Sequence, residues 1–153
     1  AGLIGRFKFQ QQPGWAAHLA ALMSRSPAID SALAACDLVL PMPLSRRRLA
    51  ERGFNQAVEL ARRLAPAKLA TGLLLRVRDT PPQAQLDREQ RHTNLRHAFA
   101  VAPQQAPTLR GRNVVLLDDV VTSGASLEAA AEVLRRAGCA RITGVVLART
   151  EEA

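Results

Sequence analysis

Residues 114–126 read Val-Val-Leu-Leu-Asp-Asp-Val-Val-Thr-Ser-Gly-Ala-Ser, and the order of these residue types carries chemistry. An aliphatic run ends in two adjacent carboxylates, Asp118 and Asp119. A turn of small and hydroxyl-bearing residues follows, Thr122, Ser123, Gly124, Ala125 and Ser126, and then an amphipathic stretch. Where a strand passes into a helix through such a turn, backbone N–H groups, hydroxyls and the positive end of the helix dipole converge, which makes a phosphate cradle. Gly124 lets a ligand come close to the backbone. The carboxylates cannot bind phosphate. They suit vicinal ribose hydroxyls, which donate hydrogen bonds to them, or a hydrated magnesium ion. No Lys follows the turn and the GxxxxGK[ST] pattern is missing, which excludes the triphosphate loop of an NTPase. Taken in order, the pieces describe a ribose 5-phosphate site. Taken singly, each has a plainer reading: strand-end acids in solvent, and a Ser that caps a helix.

The neighbouring elements must hold this loop in place. Asn113 to Leu117 reads as a buried strand that ends at Asp118-Asp119, and residues 127–137 read as a helix with Leu127, Ala130, Ala131, Leu134 and Ala137 on one face and Gly138 as its C-terminal cap. Ile142 to Leu147 is the last clear strand. Upstream, Pro13 opens a helix to Met23 with Trp15, Leu19, Leu22 and Met23 on one face. Asp37 to Leu40 is a short strand stopped by Pro41-Met42-Pro43. A helix is expected from Phe54 to Leu64 along Phe54, Val58, Ala61 and Leu64, with Arg62 and Arg63 at its C-terminal end, where the dipole favours cations. Residues 73–78 and 98–101 read as further strands, residues 103–107 as a turn, and the polar stretch 79–96 between the strands as a long loop, of a length usually functional or disordered. Continuous aliphatic strands alternating with helices imply an α/β fold: a mainly parallel sheet with helices on both faces.

Composition narrows the class. A chain of 153 residues suits a single domain over residues 1–153. Aromatic residues make up only 3% of it, so the apolar mass is Ala, Leu and Val, which favours closely packed helices and aliphatic strands over an aromatic-rich sandwich. The formal net charge of +8 attracts phosphates of any kind without choosing among nucleotides, sugar phosphates and nucleic acid. Much of it lies in three clusters, Arg46-Arg47-Arg48, Arg62-Arg63 and Arg135-Arg136, which read equally simply as solvated helix faces. Cys36 and Cys139 form no CxxC pair, so there is no zinc signature and no disulfide framework; both read as small buried residues in reducing, cytoplasmic surroundings. No apolar run approaches the ~20 residues that cross a bilayer. The opening AGLIGRFKFQ lacks the apolar stretch of a signal peptide and an initiator Met, which suggests an upstream segment removed.

The segment 114–126 resembles the signature of type I phosphoribosyltransferases: an apolar strand, two acids, two apolar residues and a Thr/Ser-Gly-x-Thr/Ser loop. The resemblance implies that Asp118 and Asp119 bind the ribose hydroxyls of phosphoribosyl pyrophosphate (PRPP) and serve as the catalytic carboxylates. It further implies that Thr122, Ser123, Gly124, Ala125 and Ser126 hold the 5-phosphate, and that magnesium arrives with PRPP with no metal ligand supplied directly by the protein. A second resemblance is more specific. Pro41-Met42-Pro43-Leu44 followed by Arg52-Gly53-Phe54-Asn55-Gln56, with Gln85, Arg91, Asn94, Phe99 and the early Lys8-Phe9, resembles the ComF family of competence-associated, phosphoribosyltransferase-like bacterial proteins, related at domain level to the amidophosphoribosyltransferases. It runs from about residue 3 to 149. By this resemblance Pro41, Met42, Pro43, Leu44 and Arg46 form the pyrophosphate loop, its backbone amides exposed to the ligand, and residues 79–101 a flexible hood. Arg52, Asn55, Gln56, Gln85, Arg91 and Asn94 are then acceptor or hood candidates, although Asn55 and Gln56 read as well as helix caps. Arg88, Arg91 and Arg96 offer bidentate bonds to pyrophosphate, or are a solvated basic loop. His92 and His97 read as surface residues. The zinc-binding module that often precedes this family's domain is missing from this sequence.

Two functions follow from the resemblance. One is transfer of a phosphoribosyl group from PRPP to a nitrogen nucleophile with release of pyrophosphate, linked to competence and DNA uptake. The other is a non-catalytic PRPP- or nucleotide-binding module that acts through competence or DNA-processing proteins, in a chain that stands alone or forms a homo-oligomer. Direct binding of single-stranded DNA by the Arg clusters is weaker, because the aromatic residues that stack bases are nearly absent. No membrane partner is implied.

Overall fold

The computed structural model describes residues 15–78, 87, 89–90, 95, 97–121 and 124–149. Thr122, Ser123, Gln85, Arg91 and Asn94, together with Lys8-Phe9, Pro13, Arg88, His92 and Arg96, lie outside the described residues.

Three parallel strands form the main sheet: β1 (Leu38–Pro41), β4 (Asn113–Val121) and β5 (Arg141–Arg149), in the order β1-β4-β5. The centre strand, β4, carries the longest aliphatic run and is buried on both faces. Its side chains alternate. Val114 and Leu116 join Leu40 and Met42 on one face, and Val115 and Leu117 join Val39 and Val145 on the other. On the first face lies helix α6 (Ala125–Arg136), which buries Ala130, Ala131 and Leu134. On the second lie α1 (Trp15–Ser24) and α4 (Gln56–Leu64), through Ala16, Leu19, Met23, Leu60 and Ala61. Helices therefore cover both faces, as the sequence implies.

Several expectations shift. The buried stripe of α1 is Ala16, Leu19, Ala20 and Met23, and Leu22 is exposed. The i, i+3, i+4, i+7 rule admits this stripe as readily as the one through Trp15 and Leu22, and its alanines let two helices approach closely. In α4 the buried residues are Gln56, Ala57, Leu60 and Ala61, with Phe54 ahead of the helix. Two helices escape the periodicity: α2 (Pro27–Ala35) and α3 (Arg46–Arg52) contain no fully buried residue, so no apolar stripe announces them. Their caps do. Ser26 Oγ accepts from Ile29 N at 3.4 Å with Pro27 next to it, and Ser45 Oγ accepts from Arg48 N at 3.3 Å. Residues 103–109 are a 3-10 turn (Pro103–Gln105) and a one-turn helix α5 (Ala106–Leu109).

The strands read at 73–78 and 98–101 stand apart from the parallel sheet. β2 (Leu74–Arg76) and β3 (Phe99–Val101) pair antiparallel with each other, Arg76 opposite Phe99. The long stretch between them is thus the connection of a hairpin whose ends are tied. β2 and β3 bury Leu74 and Phe99 in the α6 core. Finally, β4 does not end at Asp118. It continues to Val121 because β5 runs alongside, pairing Asp118 with Val146 and Val121 with Arg149. β1 pairs with β4 only as far as Pro41 opposite Leu117.

Candidate functional site

That mismatch of strand lengths creates the site. β1 stops at Pro41 while β4 runs on, so on the β1 side of Asp118 and Asp119 no described strand lies alongside. This is the crevice at the carboxyl ends of the strands where open α/β sheets bind ligands. A cavity of about 260 Å³ lies there, lined by Asp118, Asp119 and Val120 of β4 and by Ser126 in the first turn of α6. The opposite wall is Met42, Pro43 and Leu44, with Arg48 and Arg52 of α3 and Asn55 and Gln56 at the start of α4. Arg76 of the hairpin completes it.

The two carboxylates differ. Asp118 Oδ1 accepts from Asp119 N at 2.8 Å, which fixes its rotamer. Asp119 is 6% exposed, and its Oδ2 has no hydrogen-bond donor among the described residues. A buried carboxylate oxygen left unmatched is costly, and it persists where a ligand supplies the donor. At the mouth of α6, Gly124 adopts φ +78° and an added Cβ there would meet nothing within 4 Å. Its left-handed backbone turns the chain sharply into the helix. At the far end of α6 the helix closes on Gly138, whose N–H donates to Arg135 O at 3.0 Å while Cys139 N donates to Leu134 O at 3.2 Å. This double closure is a Schellman motif.

The Pro-x-Pro loop is built differently from the expectation that its amides face a ligand. Pro41 and Pro43 have no N–H, and Met42 N donates to Leu117 O at 2.8 Å. The amides left to this segment begin at Leu44. Met42 O accepts from Asn55 Nδ2 at 3.0 Å, while Asn55 Oδ1 accepts from Ala57 N at 2.9 Å and Val58 N at 3.3 Å. Asn55 therefore caps α4 and clamps the loop onto it with one side chain. Gln56 is buried, and its Oε1 accepts from Arg52 Nη1 at 3.4 Å.

Of the residues singled out in the sequence, Asp118, Asp119, Ser126, Met42, Pro43, Leu44, Arg52, Asn55 and Gln56 converge on this cavity from four separate segments. Pro41 is the last residue of β1, Gly124 and Ala125 shape the turn into α6, and Arg46 lines an adjoining groove. Sequence reasoning missed Arg48 and Arg76. Arg76 is legible only as a cation inside an apolar strand run; its guanidinium lies 5.4 Å from the centroid of the Phe99 ring. Arg48 is hidden in a cluster that otherwise faces solvent. The remaining clusters are solvated helix faces: Arg62 and Arg63 both reach Glu59, at 3.6 and 3.1 Å, and Arg135 and Arg136 both reach Glu132, at 3.0 and 3.4 Å. Exposed pairs of this kind contribute little. Cys36 is buried, with its thiol donating to Leu33 O at 3.3 Å, and Cys139 is only half-buried. Burial pushes both thiols above their ordinary range. No cluster of three or more His, Cys, Asp and Glu suited to a metal occurs among the described residues, and no helix there is long and apolar enough to cross a membrane.

A model of the phosphoribosyl transferase domain matches residues 49–153. Competence protein F of Haemophilus influenzae is 35% identical over 156 residues, an overlap of 96% of this chain and 66% of that protein. DNA utilization protein YhgH of Salmonella typhi is 32% identical over 154 residues, covering 97% of this chain and 66% of its own length. YhgH of Escherichia coli K12 is 34% identical over 117 residues, 74% of this chain and 50% of its own. The chain thus spans half to two thirds of the relatives it matches. Among solved structures, the allosteric regulatory enzyme of purine biosynthesis superposes with a TM-score of 0.53 at 18% identity, over 86% of this chain and 25% of that one, which establishes a shared fold. With residues 49–153 matched by the domain model and competence protein F aligned over most of the chain, the protein belongs to the phosphoribosyl transferase domain family and groups with its competence-protein (ComF) members.

Proposed function

We propose that the cavity at the end of β4 binds PRPP with magnesium. The observation that carries this reading is the buried Oδ2 of Asp119, which has no hydrogen-bond donor among the described residues, in a cavity whose other wall holds Arg48, Arg52 and Arg76. In this reading the hydroxyls of the ribose donate to Asp119 and Asp118. The turn from Thr122 to Ser126 and the N-terminal end of α6 receive the 5-phosphate. The three guanidiniums meet the pyrophosphate, for which a planar, bidentate donor is well matched. Magnesium would enter on the pyrophosphate, near oxygen ligands of the kind Asp118 and Asp119 provide, and would neutralise part of its charge.

Bound in this way, PRPP is set up for displacement at its anomeric carbon. The lone pair of a nitrogen nucleophile forms the new bond, pyrophosphate leaves with the electrons of the old C–O bond, and the nitrogen then sheds a proton. In this reading the chain's part is positioning and electrostatic stabilisation. The names of the relatives, competence protein F and DNA utilization protein, support a role connected with DNA use. They equally support a second reading, in which PRPP or a nucleotide is bound without turnover and the domain acts through protein partners.

The test is calorimetric titration of PRPP and magnesium chloride into the protein, beside the Asp118→Asn/Asp119→Asn variant. Saturable binding that falls at least tenfold in the variant is expected. Equal affinity in both would remove the carboxylates from the site, and no binding by the wild type would overturn the reading. Pyrophosphate release with ammonia, purines and pyrimidines then separates turnover from binding alone.

A further inference from the structure

Gln56 is a polar side chain in an apolar place. It is the first residue of α4 and only 2% exposed, as buried as Ala57, Leu60 and Ala61 behind it on the same helix. A primary amide taken out of water costs stability unless it is hydrogen-bonded, and an apolar side chain would fill the same space without that cost. The Oε1 of Gln56 accepts from Nη1 of Arg52, and both residues line the cavity with Asp118 and Asp119. We propose that Gln56 is a positioning residue: its amide oxygen holds the Arg52 guanidinium in place to meet the pyrophosphate of PRPP, and does so without cancelling its charge. The proposal rests on the PRPP reading of the cavity.

The backbone fixes both ends of this contact. Arg52 is the last residue of α3, which stops at Gly53 with φ +80° while Gly53 N donates to Leu49 O at 2.8 Å. Gln56 opens α4 directly behind its cap Asn55, whose Nδ2 is anchored on Met42 O. The two side chains therefore meet across the junction of two helices and not along one. At 3.4 Å the bond is at the long end of the hydrogen-bonding range, as contacts in a site commonly are until a ligand tightens them. The uncharged acceptor sets Arg52 apart from the paired arginines of the helix surfaces. There Arg47 meets Glu51, Arg62 and Arg63 meet Glu59, and Arg135 and Arg136 meet Glu132, at 3.0 to 3.6 Å. A carboxylate in place of the Gln56 amide would orient the guanidinium and also neutralise it. A side chain with no acceptor would leave it loose in a cavity that holds two carboxylates, and opposite charges attract strongly where water is scarce. Arg52 would then close on Asp118 or Asp119 and occupy the oxygens proposed for the ribose hydroxyls. The amide avoids both outcomes.

The experiment titrates PRPP with magnesium, magnesium pyrophosphate and ribose 5-phosphate into the protein by calorimetry. The variants are Gln56→Met, Gln56→Glu, Arg52→Ala and the double variant Arg52→Ala/Gln56→Met. Gln56→Met should weaken PRPP and pyrophosphate by about tenfold, the scale of one hydrogen bond to a charged group, and leave ribose 5-phosphate, which lacks the pyrophosphate, within about twofold. Gln56→Glu should weaken the same two ligands at least as much, although it keeps an acceptor for Arg52. In the Arg52→Ala background Gln56→Met should change PRPP affinity by less than about twofold, because the residue through which it acts is gone. Equal weakening of all three ligands would make Gln56 a structural residue only and overturn the proposal, as would additive effects in the double variant. Undiminished PRPP binding by Gln56→Glu would overturn the argument from charge. Should Gln56→Met fail to fold in urea unfolding, Gln56→Asn, which keeps an amide but draws its oxygen back by one methylene, carries the same expectations. A wild type that binds PRPP while every Gln56 variant binds it equally well would sink the proposal alone. A wild type that binds none of the three ligands would sink the reading of the cavity and this proposal with it.

Discussion

Asn55 gives the sharpest quantitative expectation, because one side chain does two separable jobs. Its Oδ1 caps α4 by accepting from Ala57 N and Val58 N, and its Nδ2 donates to Met42 O, which belongs to a residue only 5% exposed. Loss of an Asn cap costs about 1 kcal/mol. A nearly buried carbonyl stripped of its donor costs about 1–2 kcal/mol more. Asn55→Ala loses both, so its stability should fall by about 2–3 kcal/mol. Asn55→Asp keeps the cap, since a carboxylate accepts the same N–H groups and suits the helix dipole, but it has no donor for Met42 O. It should fall by only about 1–2 kcal/mol. Urea unfolding of the two variants measures this. With a slope of roughly 2 kcal/mol/M, the midpoint of Asn55→Ala should drop by roughly 1 M, and that of Asn55→Asp by about half as much. Equal losses in the two variants would mean that the cap contributes nothing. A loss below about 0.5 kcal/mol in Asn55→Ala would refute the view that the Pro-x-Pro loop is clamped to α4.

Gly124→Ala should cost about 1–2 kcal/mol in thermal or urea unfolding, entirely from φ +78°, because the added Cβ meets no atom within 4 Å; Gly124→Asn should cost less, and a clash-sized loss would contradict the geometry. Arg76→Leu should weaken PRPP at least tenfold in calorimetry, while Arg63→Leu, whose cation is taken up by Glu59, should leave it within twofold; equal effects would reduce the role of Arg76 to general charge. Cys36 and Cys139 have thiols raised in the fold, so the folded state holds their protons more tightly than the unfolded chain does. Stability should therefore be intact below the unfolded thiol value of about 8.5 and decline as pH rises through it toward the raised folded values, and Cys36→Ala/Cys139→Ala should flatten that part of the curve.

The strand-turn-helix unit from Asn113 to Arg136 was legible because its parts are consecutive: the aliphatic run, the acids, the Gly and the amphipathic helix each follow from local periodicity and backbone preference. Elements without a buried stripe, α2 and α3, were not, although Ser26-Pro27 and Ser45 announce them to a reader who looks for caps. The far end of β4 was misplaced because a strand's length is decided by its neighbour: β5 carries it to Val121, and the early stop of β1 opens the cavity. Sequence alone thus pointed to the residues proposed to bind a phosphorylated ribose and to the α/β fold that presents them. Only the tertiary structure decided that Arg48, Arg52 and Arg76, from a helix and a hairpin, share a cavity with those acids, that Asn55 is committed to a cap and a clamp, and that Asp119 is buried with one oxygen given no donor among the described residues. Each of these depends on pairings between distant segments, which the short-range patterns of side-chain type do not encode.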